Sequence, residues 1–234
     1  QGGLFRHQPN TIKNFIYNKN VGAEIVEMDL RLSKDGIPMV FHDEKMGVWT
    51  NCFHSVDSYT AAYIQKHCHF YTTKEKVPTF EEVLQWSQGS IVIDAEFKET
   101  QVIAPALELI KKYQAHNWVY FQTQDDREKY RIARSLDSEV GLLYAIHDSK
   151  DLDWALELND SALLIIEVDK NTRTTEMINR IHNAHKLVTE DVWHLSSFFE
   201  LWGATCTQAG RLGIDILISN RPKQCVQQRN FYLH

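Results

Sequence analysis

The stretch Glu24-Ile25-Val26-Glu27-Met28-Asp29-Leu30 alternates acidic and apolar residues. As a strand it sends Glu27 and Asp29 to one face and Val26, Met28 and Leu30 to the other. The apolar face suits burial beneath helices. Two carboxylates near the C-terminal end of a strand sit where α/β barrels build their sites. Alone, the pattern describes an exposed strand with a charged face equally well. A second stretch, Ile91-Val92-Ile93-Asp94-Ala95-Glu96-Phe97-Lys98, repeats the construction, with Asp94, Glu96 and Lys98 opposite Ile93, Ala95 and Phe97. Two strands then aim acids inward. Crowded carboxylates repel and are costly to desolvate unless a cation neutralises them. A hard, oxygen-preferring divalent cation, Mg²⁺ or Ca²⁺, is the economical explanation for such a cluster.

Lys98 on the same face supplies a positive charge suited to a phosphate, or a simple ion pair with Glu96 or Asp94. Ser33-Lys34-Asp35-Gly36 reads as a turn, and Ile37 to Asp43 returns as a short strand that delivers His42 beside the acids. Imidazole moves protons near neutral pH, which makes His42 a candidate general acid or base.

Strand and helix patterns alternate from about residue 23 to the end. The strand candidates are Ala23–Leu30, Pro38–His42, Ile91–Phe97, Trp118–Gln122, Val140–Ala145, Leu163–Val168, Val188–Leu195 and Ile214–Ile218. This spacing predicts a TIM-type (β/α)8 barrel ahead of a doubly wound sheet, for which no glycine-rich nucleotide loop is present. The best-marked helix follows Pro78: Thr79 caps it, Glu82 completes a capping box, and Phe80, Val83 and Leu84 form its apolar stripe before Gly89. Met177, Ile181 and Ala184 repeat that spacing, as do Phe198, Leu201 and Trp202. Asp43 to Val77 is too long for an ordinary connection and reads as an insertion beside the site, with short helices of its own. One domain over residues 1–234 is expected.

Composition narrows the partners. The chain has 25 Lys and Arg against 31 Asp and Glu, a net charge of -6 spread without basic blocks, so no nucleic-acid partner is expected. No apolar run approaches the roughly 18 residues needed to cross a bilayer. Four cysteines, Cys52, Cys68, Cys206 and Cys225, do not form a dense framework, although a Cys52–Cys68 disulfide is open to an oxidising compartment. Cys52, His54, His67, Cys68 and His69 match no standard zinc spacing. A cytoplasmic location is the expectation, or a periplasmic or secreted one if a leader has been removed. Glu167, with Asp169 beyond it, either joins the site or caps the following helix.

The run from Gly22 to Asp43 resembles the signature block of glycerophosphodiester phosphodiesterases. Further matches follow in order: Pro9-Asn10-Thr11, Val77 to Leu84, Asp94-Ala95-Glu96-Phe97-Lys98, Asp191-Val192-Trp193 and Gly213 to Pro222. The resemblance spans nearly the whole chain. It implies a TIM-type barrel with Glu27, Asp29 and Glu96 as metal ligands, Lys98 near the phosphate, His42 as general acid or base, and Trp193 lining the substrate pocket. It also implies hydrolysis of a small-molecule glycerophosphodiester to glycerol 3-phosphate and an alcohol. The family opens with a strand and His-Arg-Gly, whereas this chain opens Gln1-Gly2-Gly3, with Gln1 at the arginine's phosphate-contacting position. The second catalytic histidine is therefore expected just before Gln1 on an upstream strand; if Gln1 is the true start, half the proton relay is missing. Two other readings stay open: a related phospholipase D-like enzyme acting on lysophospholipids or sphingolipids, and a catalytically impaired relative that serves as a binding module. An apolar rim on the insertion would point to the first of these.

Overall fold

The computed structural model describes residues 8–192 and 204–232. Eight strands form one sheet in the order β2-β1-β3-β4-β5-β6-β7-β8. They are β1 (Ile25–Leu32), β2 (Pro38–Val40), β3 (Val92–Phe97), β4 (Val119–Gln122), β5 (Gly141–Ala145), β6 (Leu163–Val168), β7 (Leu187–Asp191) and β8 (Ile216–Ile218). All neighbouring pairs are parallel except β1 with β2. The helices are α1 (Ile12–Asn20), α2 (Ala61–His67), α3 (Phe80–Ser87), α4 (Ile103–Tyr113), α5 (Arg127–Leu136), α6 (Ser149–Glu157), α7 (Thr175–Asn183), α8 (Ala204–Leu212) and α9 (Pro222–Tyr232). Among the described residues seven parallel strands, β1 and β3 to β8, with intervening helices are staves of a TIM-type (β/α)8 barrel.

One expected strand has a different role. Pro38–Val40 is no stave, because it turns back on β1 as an antiparallel hairpin with Leu30 opposite Val40 and Leu32 opposite Pro38. The turn Ser33 to Gly36 is too short to carry a parallel crossover, so the hairpin is the only return available. The remaining strand positions agree within a few residues of the sequence reading. The end of the Val188–Leu195 candidate, and the stripe of Phe198, Leu201 and Trp202, lie outside the described residues.

Alternation holds on both acidic strands. Val26, Met28 and Leu30 of β1 and Ile93, Ala95 and Phe97 of β3 are buried against the helices in one apolar core. Truncating a side chain such as Met28 to alanine would cost about 2–5 kcal/mol. Helix α3 begins as its sequence predicts: Thr79 Oγ1 accepts the Glu82 amide, and the Glu82 carboxylate accepts the Thr79 amide. It ends at Gln88, which takes the left-handed conformation before Gly89.

The insertion folds around a separate small core. Met39, Phe41, Met46, Val56, Ile64, Phe70 and Val77 are buried there together. Two 3-10 turns, Met46–Val48 and Val56–Ser58, and helix α2 shape it. A disulfide joins Cys52 to Cys68, and a second joins Cys206 to Cys225. Among the described residues no helix is long and apolar enough to cross a membrane.

Candidate active site

The register between β1 and β3 places Glu27 opposite Asp94 and Asp29 opposite Glu96. In-register parallel pairing therefore stacks four carboxyl groups in two rungs on the lumen side. The ligand atoms of Glu27, Asp29 and Glu96 all lie within 4.8 Å of one another. These are the three acids singled out from the sequence.

Lys98 stands among them, one step past the end of β3. Its Nζ lies 2.7 Å from Glu96 Oε1 and 3.0 Å from Asp29 Oδ1. Burial works against the charge on Lys98, but Asp29 and Glu96 outweigh it and raise the pKa of the ammonium. Glu27 responds in the opposite sense: burial, with Asp29 and Glu96 adding repulsion, pushes its carboxyl up to about 7. A site in which burial favours the protonated form of one acid while a lysine is drawn onto two others is short of positive charge. The donor set fits a divalent cation: three carboxylates, all oxygen, close enough to share one ion.

Asn10 holds the middle ligand. Its Nδ2 donates to Asp29 Oδ2 at 2.6 Å, and its Oδ1 accepts the Asp29 backbone N–H at 3.1 Å. Asn10 reaches this pose from a left-handed backbone with φ 60°, immediately before Thr11 caps α1. The fixed pose leaves Asp29 little rotamer freedom. Sequence reasoning quoted Asn10 within a matching motif but gave it no role. An Asn beside a helix cap ordinarily reads as turn chemistry.

His42 lies just past β2, where its backbone carbonyl accepts Arg31 Nε at 2.8 Å. Its Nδ1 is 2.6 Å from Asp43 Oδ1, and Asp43 Oδ2 accepts the Trp49 indole N–H at 2.7 Å. Asp43 is partly buried, which opposes its charge, yet the bonds from His42 and Trp49 hold its pKa below the ordinary value. The carboxylate thus fixes Nδ1 as the hydrogen-bonded nitrogen and leaves Nε2 for proton transfer. Trp49 and Asp43 were not assigned roles in the sequence, since partners six residues apart in an irregular loop share no period.

Asp29, Asn10, His42, Asp43, Trp49 and Phe70 line one pocket of about 270 Å³. Asp29, one of the three clustered acids, and His42 therefore open onto the same space. A larger cavity of about 520 Å³ lies between β1 and β8, and Glu27, Asp94 and Tyr120 reach it from the lumen. Its other walls come largely from the β8 segment and from helices α8 and α9, away from His42.

The lumen continues acidic. Asp94 is fully buried, its Oδ2 accepts Gln122 Nε2 at 2.7 Å, and burial with Glu27 nearby raises its pKa well above the ordinary value. Glu167 on β6 stays in the lumen as well, where burial, then Asp191, Glu96 and Glu27, raise its carboxyl to about 8. Asp169 instead accepts the backbone N–H groups of Asn171 and Thr172 in the loop before α7. The thiols of Cys52 and Cys68 are joined to each other by a disulfide and are not available as zinc ligands. Gln1 and Trp193, and the position expected for the second histidine, fall outside the described residues.

The family model for the glycerophosphoryl diester phosphodiesterase family matches residues 2–196. The chain belongs to that family. A glycerophosphodiester phosphodiesterase of Bacillus altitudinis is 31% identical over 123 residues, covering 50% of this chain and 49% of that protein. A probable glycerophosphodiester phosphodiesterase 2 of Mycobacterium tuberculosis is 24% identical over 136 residues, covering 58% of this chain and 50% of that protein. The chain thus spans about half the length of these curated relatives. Among solved structures, a glycerophosphoryl diester phosphodiesterase from Parabacteroides distasonis superposes with a TM-score of 0.84 at 20% identity, covering 99% of this chain and 84% of that one. An Oleispira antarctica phosphodiesterase solved with the product sn-glycerol-3-phosphate gives a TM-score of 0.78 at 18% identity, covering 94% of this chain and 91% of that one. At these identities the superpositions establish the barrel as the fold shared by this family.

Proposed function

We propose that this glycerophosphoryl diester phosphodiesterase family member hydrolyses glycerophosphodiesters to glycerol 3-phosphate and an alcohol, using Glu27, Asp29 and Glu96 to hold Mg²⁺ or Ca²⁺. The observation that carries the reading is the convergence of those three carboxylates within 4.8 Å of one another, beside the pocket that also holds His42. The family model and the barrel shared with a phosphodiesterase solved with sn-glycerol-3-phosphate support it. A bound divalent cation would polarise a phosphate oxygen and offset the charge that develops there.

The remaining roles belong to the chain itself. Lys98, now 2.7 Å and 3.0 Å from two of the acids, can turn from them to the phosphate. His42, oriented through Nδ1 by Asp43, transfers a proton at Nε2 to the leaving alkoxide or from the nucleophile. The second imidazole implied by the family resemblance would act on the other side of phosphorus, and Gln1 and Trp193 would contact the substrate. All four cysteines are paired in the structure, which supports an oxidising compartment over the cytoplasm.

Glycerol 3-phosphate release from glycerophosphocholine and glycerophosphoethanolamine, with Mg²⁺, Ca²⁺ or chelator, tests the reading. Release that requires metal and falls in His42→Ala is expected. A folded protein that binds metal but releases nothing would leave the family member as a binding module.

A further inference from the structure

We infer that Arg31 is a positioning residue for His42: its guanidinium holds the peptide that turns the imidazole onto Asp43, and so decides which ring nitrogen is left for proton transfer. The inference rests on the hydrolase reading above and deepens it by naming the group that aims the proton-transferring side chain.

Neighbouring residues on an extended chain point to opposite faces. His42 and Asp43 are neighbours, but Nδ1 of the first lies 2.6 Å from the carboxylate of the second. The chain achieves this by leaving β2 after Val40 and bending over residues 42–44. Packing does not fix the pair, since the His42 side chain is 52% exposed and that of Asp43 34%. The last backbone bond to β1 before the bend runs from the Phe41 N–H to the Asp29 carbonyl at 2.9 Å. At the bend a side chain takes over, and Arg31 Nε donates to the His42 carbonyl at 2.8 Å. That carbonyl belongs to the peptide joining His42 to Asp43, whose orientation sets where both side chains point.

Arg31 is itself held. Strand β1 runs two residues beyond its pairing with β3, which ends at Leu30 opposite Phe97. The Leu32 N–H, past the end of that ladder, needs an acceptor, and Glu99 Oε1 supplies it at 2.6 Å. The other oxygen of Glu99 lies 3.6 Å from Arg31 Nη1, and the Arg31 side chain is 16% exposed. A forked guanidinium can serve a carbonyl through Nε and a carboxylate through Nη1 at once, which a lysine ammonium cannot. The strut therefore runs from Glu99, three residues past Glu96, through Arg31, two residues past Asp29, to His42. It ties the imidazole to the two strands that carry the clustered acids. Arg31 does not line the pocket shared by Asp29 and His42, so it reaches the reaction through His42 and not by contact with substrate.

The test uses Arg31→Met, which keeps an apolar stem and removes the guanidinium. Long-range proton–nitrogen NMR correlations at alkaline pH report which ring nitrogen of His42 carries the proton, the signal being assigned by its loss in His42→Ala. Wild type should carry it on Nδ1, and Arg31→Met should shift His42 toward the Nε2 tautomer that an unrestrained imidazole prefers. An Nε2 tautomer in wild type, or an undiminished Nδ1 tautomer in Arg31→Met, would overturn the inference whatever the activity. For glycerol 3-phosphate release from glycerophosphocholine, kcat should fall about 10–100-fold in Arg31→Met with KM little changed. In the His42→Ala background the same substitution should change kcat by less than about twofold, because the side chain it positions is gone. Equal losses in both backgrounds would show that Arg31 acts elsewhere and overturn the inference. If wild type releases no glycerol 3-phosphate, the hydrolase reading fails and the tautomer alone decides what Arg31 does to His42.

Discussion

Asn10 grips Asp29 at two points, its amide nitrogen 2.6 Å from Oδ2 and its amide oxygen 3.1 Å from the backbone N–H. The grip joins the chain ahead of α1 to the acid at the centre of the carboxylate cluster. Asn10→Gly keeps a residue that tolerates the left-handed backbone and removes only the amide. Metal affinity should fall about 10–100-fold, the usual effect of removing a group that orients a ligand. Calorimetric titration with Mg²⁺ and Ca²⁺ measures it, and unchanged affinity would show that Asp29 needs no such support.

Removing the bond between His42 and Asp43 should separate orientation from proton transfer. His42→Ala is expected to lower kcat by about 10²–10⁴. Asp43→Asn should cost less and shift the pH profile, because it leaves the imidazole in place but exchanges its partner's charge for a dipole. Equal losses in both variants would argue that Asp43 is itself indispensable to the step.

The acidic lumen makes the metal-free protein sensitive to pH. Glu27 titrates at about 7 and Glu167 at about 8 in the fold, both above the ordinary value of 4.5. Between the unfolded and folded values the native state binds more protons, so stability falls as pH rises. In chelator, the melting temperature should therefore decline as pH rises from about 4.5 through 8, with part of the slope removed in Glu27→Gln with Glu167→Gln and the buried Asp94, whose pKa is also raised, keeping the rest. Added Mg²⁺ or Ca²⁺ should restore stability at the alkaline end, where Glu27 is ionised and can ligate the cation. A flat profile in chelator would show that these acids are hydrated in solution.

The Cys52–Cys68 bond closes a loop of 16 residues. Loops of that size gain about 3 kcal/mol from closure. Replacing both cysteines with serine should lower stability by about that amount in denaturant titration. Metal affinity should hold, since the three acids sit on β1 and β3 and none belongs to the insertion.

Much of the barrel and its acidic face was legible because both depend on local period. Val26, Met28 and Leu30 alternate with Glu27 and Asp29, and a period of two suffices to assign the faces. The Thr79 to Glu82 capping box was equally local. What escaped depends on pairings between distant or irregular segments. Nothing in Pro38–Val40 distinguishes an antiparallel return from a barrel stave until the length of its turn is weighed. The pairing of Cys206 with Cys225 joins two helices whose approach no periodicity encodes. Asn10 and Asp29 are 19 residues apart, and only the folded register brings them together.

One cation is expected among Glu27, Asp29 and Glu96. Crystals soaked in Mn²⁺, as a strongly scattering substitute, test it through anomalous difference density. We predict a single strong peak in contact with all three carboxylates, with Lys98 Nζ withdrawn from its present 2.7 Å and 3.0 Å contacts to Glu96 and Asp29. No peak there at millimolar Mn²⁺, with Lys98 still paired to both acids, would contradict the account.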